Sequence, residues 1–202
     1  MIEAVAEQTT KDRIVEACLE TLKEEGFAGT SARAIARRGG FNQALIFYHF
    51  GTLNDLLLAA LDRTSERRLS AYRAALAAAE SVEEKVASAT RLYRDDLASG
   101  HVTVVSEMIA GSLSRPDLGP EVVARMDPWI DFVEESVREP LDRAGLSSVL
   151  PPRTAAFMVV SLTLGVNLLW HLERDQTKAE ALFEAAGRIA RMLAPAFGGS
   201  DG

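Results

Sequence analysis

The stretch Thr30-Ser31-Ala32-Arg33-Ala34-Ile35-Ala36-Arg37-Arg38-Gly39-Gly40-Phe41-Asn42-Gln43-Ala44-Leu45-Ile46-Phe47-Tyr48-His49-Phe50-Gly51-Thr52 decides how this chain folds. Ala32, Ile35 and Ala36 share one face of a helix from about Ser31 to Arg38, with Thr30 as its predicted N-cap and Gly39-Gly40 as its stop. After a four-residue turn, Gly39 to Asn42, a second short helix begins. Asn42 is placed to cap the N–H of Leu45, and Phe41 and Ile46 hold the two positions of a hydrophobic staple. Two short helices joined by a tight turn make a helix-turn-helix, the arrangement that lays its second helix in the major groove of duplex DNA.

Upstream, Ile14, Val15, Cys18, Leu19 and Leu22 form the apolar stripe of a helix over Arg13 to Glu25, opened by Thr9 or Thr10 and closed at Gly26. Downstream, Thr52 and Asp55 form a Thr-x-x-Asp start to a helix reaching about Glu80, roughly 43 Å at 1.5 Å per residue. That length can join a DNA-binding domain over 9–53 to a second domain over 54–197. Further helices are predicted at about 82–98, 102–113, 121–144, 153–173 and 178–196, with loops at Pro116 to Pro120 and Leu146 to Pro152 and frayed ends at Met1 to Glu7 and Gly198 to Gly202. The expected fold is all-α, with about nine helices.

Composition narrows the function. With 202 residues, 48% hydrophobic and 25% charged, the chain has the make-up of one or two globular domains. The single Cys18 excludes an internal disulfide, and three dispersed histidines leave no metal-ligand cluster, so neither metal nor cofactor is expected. Met1 to Thr10 carries Glu3 and Glu7 and has no signal-peptide pattern, which places the protein in the cytoplasm. The longest uncharged run, Ala155 to Trp170, is 16 residues; it is read as a buried helix rather than a membrane span. A net charge of −7 argues against nucleic acid in bulk, but its distribution argues the reverse. Gly26 to Asn54 is 29 residues without Asp or Glu, where about four would be expected, and it contains Arg33, Arg37, Arg38 and His49.

At these residues the sequence resembles the TetR family of transcriptional regulators. The matching elements are Arg13 to Ala17, Gly26-Phe27, Thr30 to Ala36, Gly40-Phe41-Asn42, Ile46 to Thr52, and Asp55-Leu56. The resemblance implies that Gln43, Ala44 and Leu45 face base edges while Thr30, Ser31, Arg33, Tyr48, His49 and Thr52 position the DNA backbone, and Asn42 at the head of the second helix is counted among the DNA-binding residues. These roles are also physically apt, since hydroxyls at helix N-termini suit phosphate oxygens, Gln pairs with adenine, and apolar side chains meet thymine methyls. Tyr48 has a second reading, as part of a small core with Phe47 and Phe50. Two positions depart from the family pattern: Leu53 stands where a lysine is usual, removing one phosphate contact, and Asn42 replaces the usual serine cap.

In the C-terminal part, Met108, Met126, Trp129, Phe132, Met158 and Trp170, with the stranded polar Asn167, read individually as core. The resemblance turns them toward a pocket for a small, largely apolar effector. Val160, Leu164, Gly165, Leu168 and Leu172 on one helix, and Phe183, Ala186, Ile189, Ala190 and Leu193 on the next, form stripes whose alternatives are an intrachain pair or a dimer interface. The resemblance implies the latter, a four-helix bundle built from two subunits. No nucleophile-base-orienter set is recognisable, so no enzyme is expected. The reading is a homodimeric regulator, a repressor released from a palindromic DNA operator by a small molecule, with no membrane partner. The alternatives are an activator, or a helical ligand-binding or enzymatic domain that keeps the motif without binding DNA.

Overall fold

The computed structural model describes residues 2–115 and 117–173, together with 181, 184, 185, 187 and 188. Among the described residues the protein is all-α: α1 (Ile2–Gly29), α2 (Ala32–Gly39), α3 (Ala44–Phe50), α4 (Leu53–Ala77), α5 (Val82–Ser99), α6 (His101–Ser112), α7 (Gly119–Ala124), α8 (Asp127–Arg143) and α9 (Pro152–Glu173). Two compact units are present, one of residues 1–67 with 99–125, the other of 68–98 with those from 126 onward.

In the first unit, Ile14, Leu22, Ile35, Ile46, Leu56, Leu57, Leu61, Met108 and Leu118 are all but sealed from solvent. Each such side chain contributes about 1.5–3 kcal/mol through burial. α1 begins at Ile2 rather than at Thr9 or Thr10, so the expected frayed start is helical. Gly26 closes its first helical stretch as expected, leaving the helical region at φ 68° and ψ 178°, and the chain resumes helical turns to Gly29 across the kink. The Phe27 N–H, turned out of the helical ladder there, donates to Glu107 Oε2 at 2.7 Å.

The caps of the motif differ by one residue from expectation. Ser31, in extended backbone, accepts the Ala34 N–H at 3.2 Å and is the N-cap of α2. Thr30 instead donates its hydroxyl to Gly26 O at 2.6 Å, closing the end of α1. α2 ends at Gly40 in the left-handed region, where φ 65° suits glycine. Asn42 Oδ1 accepts the Ala44 N–H at 2.9 Å, while Leu45 N–H goes to the Asn42 carbonyl at 3.0 Å. Thr52 and Asp55 form a reciprocal box: Asp55 N–H donates to Thr52 Oγ1 at 3.1 Å, and Thr52 N–H donates to Asp55 Oδ2 at 3.2 Å. α4 departs from α3 at 70° through this corner. It spans 25 residues, ending three short of Glu80.

The helix expected over 121–144 is two, α7 and α8. Pro120 and Pro128 each sit in a first turn, where the missing N–H costs nothing, so each marks a start rather than a loop or an interior position. The helix expected at 178–196 lies outside the described residues.

The second unit is built around Leu69, Tyr72 and Phe132, against which Leu76, Leu92, Trp129 and Val133 pack. Tyr72 and Trp129 meet edge to face at 5.5 Å. A buried polar group accompanies this cluster. Asp96, 3% exposed, pairs with Arg68 and accepts the Tyr72 hydroxyl at 3.0 Å, while Tyr93 donates to Asn167 Oδ1. Burial pushes the Asp96 carboxyl up to about 6, against the opposing pull of Arg68, and pushes the Tyr93 hydroxyl up to about 12.

α9 packs on α8, with Arg153 paired to Asp131 and Glu134. The expectation of a buried α9 is not met among the described residues. Ala155, Ala156 and Asn167 are buried, but Phe157, Met158, Leu162, Leu168, Leu169 and Leu172 are exposed. The helix runs beyond the uncharged stretch at both ends. Its Pro152–Leu169 window is long and apolar enough to cross a bilayer by length and composition.

Candidate nucleic-acid interface

The helix-turn-helix presents a defined outer face. Ser31 and Arg33 on the α2 side and Asn42, Gln43 and Ala44 at the start of α3 are exposed, as is Thr52 at the head of α4. Leu45 and His49 are half-buried. Tyr48 is 79% exposed and stacks edge to face on His49 at 4.8 Å, so it is no part of the small core, which Ile46 fills instead. Thr30 lies differently: it is buried, and its hydroxyl and N–H are both satisfied inside the chain, by Gly26 O and Phe27 O. Gln43 and Ala44 can therefore reach base edges from the first turn of a short helix, while Ser31, Arg33 and Tyr48 place donors around them; Thr52 commits both its N–H and its hydroxyl to Asp55.

The charge of this face is smaller than the sequence suggests. Arg37 donates to Glu25 at 3.1 Å, and Arg38 to Glu24 at 2.7 Å and to Thr21 Oγ1 at 3.1 Å. Arg38 holds the Glu24 carboxyl below its ordinary range through that hydrogen bond. Glu24 and Glu25 stand just before the acid-free window, and the packing of α1 on α2 brings them back over it. Of the window's arginines, Arg33 alone has no carboxylate partner among the described residues.

A set of residues that the sequence reading passed over holds α6 against the motif. Besides the Phe27–Glu107 bond, Gly111 lies so close to the Phe27 ring that a Cβ there would stand 2.2 Å from it. The Arg115 guanidinium sits 5.3 Å above that ring and donates to Asn54 Oδ1 at 2.7 Å, and Asn54 in turn donates to Asp117 at 2.8 Å. Gly26 and Gly111 were the visible signals, one for a bend and one for a close approach.

The seven residues read as effector-facing are dispersed. Met108 belongs to the core of the first unit, whereas Trp129 and Phe132 share the aromatic cluster of the second. Asn167 is buried and bonded to Tyr93, Met126 is half-buried at the head of α8, Met158 is exposed on α9, and the Trp170 side chain lies outside the described residues. Two grooves mark the second unit. One, of about 320 Å³, is lined by Ala75, Ser88, Arg91, Leu92, Arg94 and Asp95. The other, of about 220 Å³, includes Phe132. On α9, Gly165 has open space around it, Leu168 and Leu172 face outward, and Val160 and Leu164 are half-buried. Phe183, Ala186, Ile189, Ala190 and Leu193 lie outside the described residues. Among the described residues no three side chains gather that could hold a metal ion.

Residues 14–60 match the family model described as bacterial regulatory proteins, tetR family. The HTH-type transcriptional regulator UidR of Escherichia coli K12 is 24% identical over 176 residues, covering 87% of this chain and 88% of UidR. Among solved structures, the fatty acid degradation regulator FadR from Bacillus halodurans superposes with a TM-score of 0.74 at 20% identity, over 91% of this chain and 94% of that one. FadR from Bacillus subtilis, solved in complex with stearoyl-CoA, gives 0.72 at 16% identity, over 90% and 96%. An all-α fold that presents an exposed helix-turn-helix at residues 32–50 defines a DNA-binding transcriptional regulator. Over residues 14–60 the chain carries the helix-turn-helix segment of the tetR family model, and the relatives it resembles along its length are regulators of that kind.

Proposed function

We propose that this regulator is a cytoplasmic, non-catalytic homodimer that represses transcription from a palindromic operator and is released by a small, largely apolar effector. Gln43, Ala44 and Leu45 read bases, and Ser31, Arg33, Asn42, Tyr48 and His49 bind and orient the phosphate backbone, while Thr52 serves the interface through the corner it forms with Asp55. Thr30 serves the motif from inside, as the latch of α1. No membrane takes part.

The observation that carries the reading is the uncovered face of α9. Met158, Leu162, Gly165, Leu169 and Leu172 follow one another at spacings of four, three, four and three residues and all face outward. This is the seam of a helix that packs against another helix, with Gly165 permitting close approach. An exposed apolar stripe of that order is unfavourable in a monomer, and a second copy of the chain covers it symmetrically. A dimer also supplies what operator recognition requires, two recognition helices about 34–36 Å apart, one helical turn of DNA. The effector needs a coupling of only about 1–3 kcal/mol to favour a spacing that DNA cannot accept. The stearoyl-CoA bound by the Bacillus subtilis relative supports an effector with an apolar part.

Gly165→Trp tests the interface. It is expected to give monomers in light scattering and to abolish operator binding while leaving the helical content unchanged; an unchanged dimer places the interface elsewhere. Selecting bound fragments of source genomic DNA with the purified protein then yields the operator, and a sequence with no two-fold repeat refutes the palindrome.

A further inference from the structure

The positive charges of the second unit are mostly neutralised within it: Arg68 by Asp96, Arg138 by Glu134, Arg143 by Glu139, and Arg153 by Asp131 and Glu134. Arg73 and Lys85 are not. Among the described residues neither has a carboxylate partner, yet both line the same groove, together with Leu76, Phe132, Glu135 and Ser136. Its apolar wall is the edge of the aromatic cluster, since the Phe132 ring lies 6.3 Å from Tyr72 and 6.5 Å from Trp129. In a chain with seven more acids than bases, two cations share this cleft with one acid, Glu135, that neither of them pairs with, and the net positive charge favours an anion there.

We propose that this groove binds an amphiphilic anion. The charged head sits between Arg73 and Lys85, and the apolar body lies on Leu76 and Phe132 beside Ser136. Glu135 on the same rim leaves the groove a net charge of about +1, which matches a singly charged head. A volume of about 220 Å³ holds about seven groups of water size, so the buried body is short. This assignment rests on the reading of the chain as an effector-controlled regulator and names the chemistry of that effector.

The probes are octanoate, octyl phosphate, octanol and octyltrimethylammonium, titrated into the full-length protein and followed by calorimetry. Octanoate and octyl phosphate separate a carboxylate from a phosphate head. An anion is expected to bind at least tenfold more tightly than the alcohol, and the cation not at all. The double variant R73Q/K85Q is expected to lose that preference, weakening the anion about tenfold while leaving the alcohol unchanged. Ser136→Trp, which fills the apolar wall, is expected to remove binding of both anion and alcohol. Equal affinity for anion and alcohol, an unaltered anion affinity in R73Q/K85Q, or unaltered binding in Ser136→Trp each overturns the proposal. Release of operator DNA is measured in parallel with the same probes. Anion binding at this groove without release of DNA leaves the site standing and refutes effector control, so the two failures are distinct.

Discussion

Substituting Gly111 by alanine sets two effects of known sign against each other. In the last turn of α6, alanine is the better helix former, by at most about 1 kcal/mol. Its methyl carbon, however, would lie 2.2 Å from Phe27 Cγ and 2.4 Å from both Cδ atoms, where ordinary contact begins near 3.4 Å. The ring must retreat by roughly 1 Å, and it is held by Arg115 above it and by the Phe27–Glu107 hydrogen bond behind it. Overpacking of this kind costs about 1–3 kcal/mol, and loss of the cation–π contact adds about 0.5–1 kcal/mol. Sterics therefore win, by about 1–2 kcal/mol, and the midpoint of thermal unfolding falls by roughly 2–8 °C at fixed protein concentration. The decisive measurement is the same substitution in a Phe27→Ala background. With the ring gone only the helix preference remains, so Gly111→Ala is expected to change sign and raise the midpoint. Calorimetric scans of the four proteins close the double-mutant cycle. A rise in the midpoint on Gly111→Ala in the wild-type background would refute the close approach of α6 to the Phe27 ring.

Three further outcomes are expected. Asp96 gives a pH-dependent stability with a definite sign. The folded carboxyl titrates at about 6 against an ordinary 3.8, so its contribution is full below about pH 4 and lost as pH rises through 6, about 3 kcal/mol in all. Asp96→Asn removes it, and denaturant titrations at several pH values are expected to show the difference between wild type and variant changing across that window; a constant difference disproves the burial of a titrating group. Asp55→Ala opens the box with Thr52 and costs about 1 kcal/mol, read as a small fall in the unfolding midpoint, and no change means that the corner is held by other contacts. In operator binding, Gln43→Ala is expected to lose about 1–3 kcal/mol of discrimination at one base position, whereas Arg33→Ala weakens all sequences alike; equal losses everywhere from both would contradict the division of roles.

The elements that could be read in advance are those whose causes are local. Ile14 to Leu22 at helical spacing, the glycines that close α2, and the Thr52–Asp55 box all act within a few residues, and the helices they define contain the expected stretches, although α1 begins before Thr9 and α4 stops before Glu80. Caps slipped by one residue because Thr30 and Ser31 are both able to cap, and only the backbone decides: Ser31 is the one in extended conformation. The split between α7 and α8 was hidden because a proline at a first turn and a proline in a loop look alike in sequence. What escaped altogether was long-range. Nothing in Arg37 and Arg38 announces Glu24 and Glu25, and nothing in Phe27 announces Glu107, 80 residues away. The exposed side of α9 was misjudged for the same reason: apolar residues surround the helix, so periodicity alone does not say which of them turn toward the chain.

The pairing of Arg37 and Arg38 with acids of α1 has a consequence for how the regulator is distributed in a cell. Bulk DNA competes with an operator through sheer number of sites, and proteins with broad basic faces spend most of their time parked on it. Here the helix-turn-helix face offers that nonspecific lattice few arginines beyond Arg33, so the reservoir bulk DNA forms is shallow. The proposed operator therefore competes against a weaker nonspecific background than a broadly basic face would set.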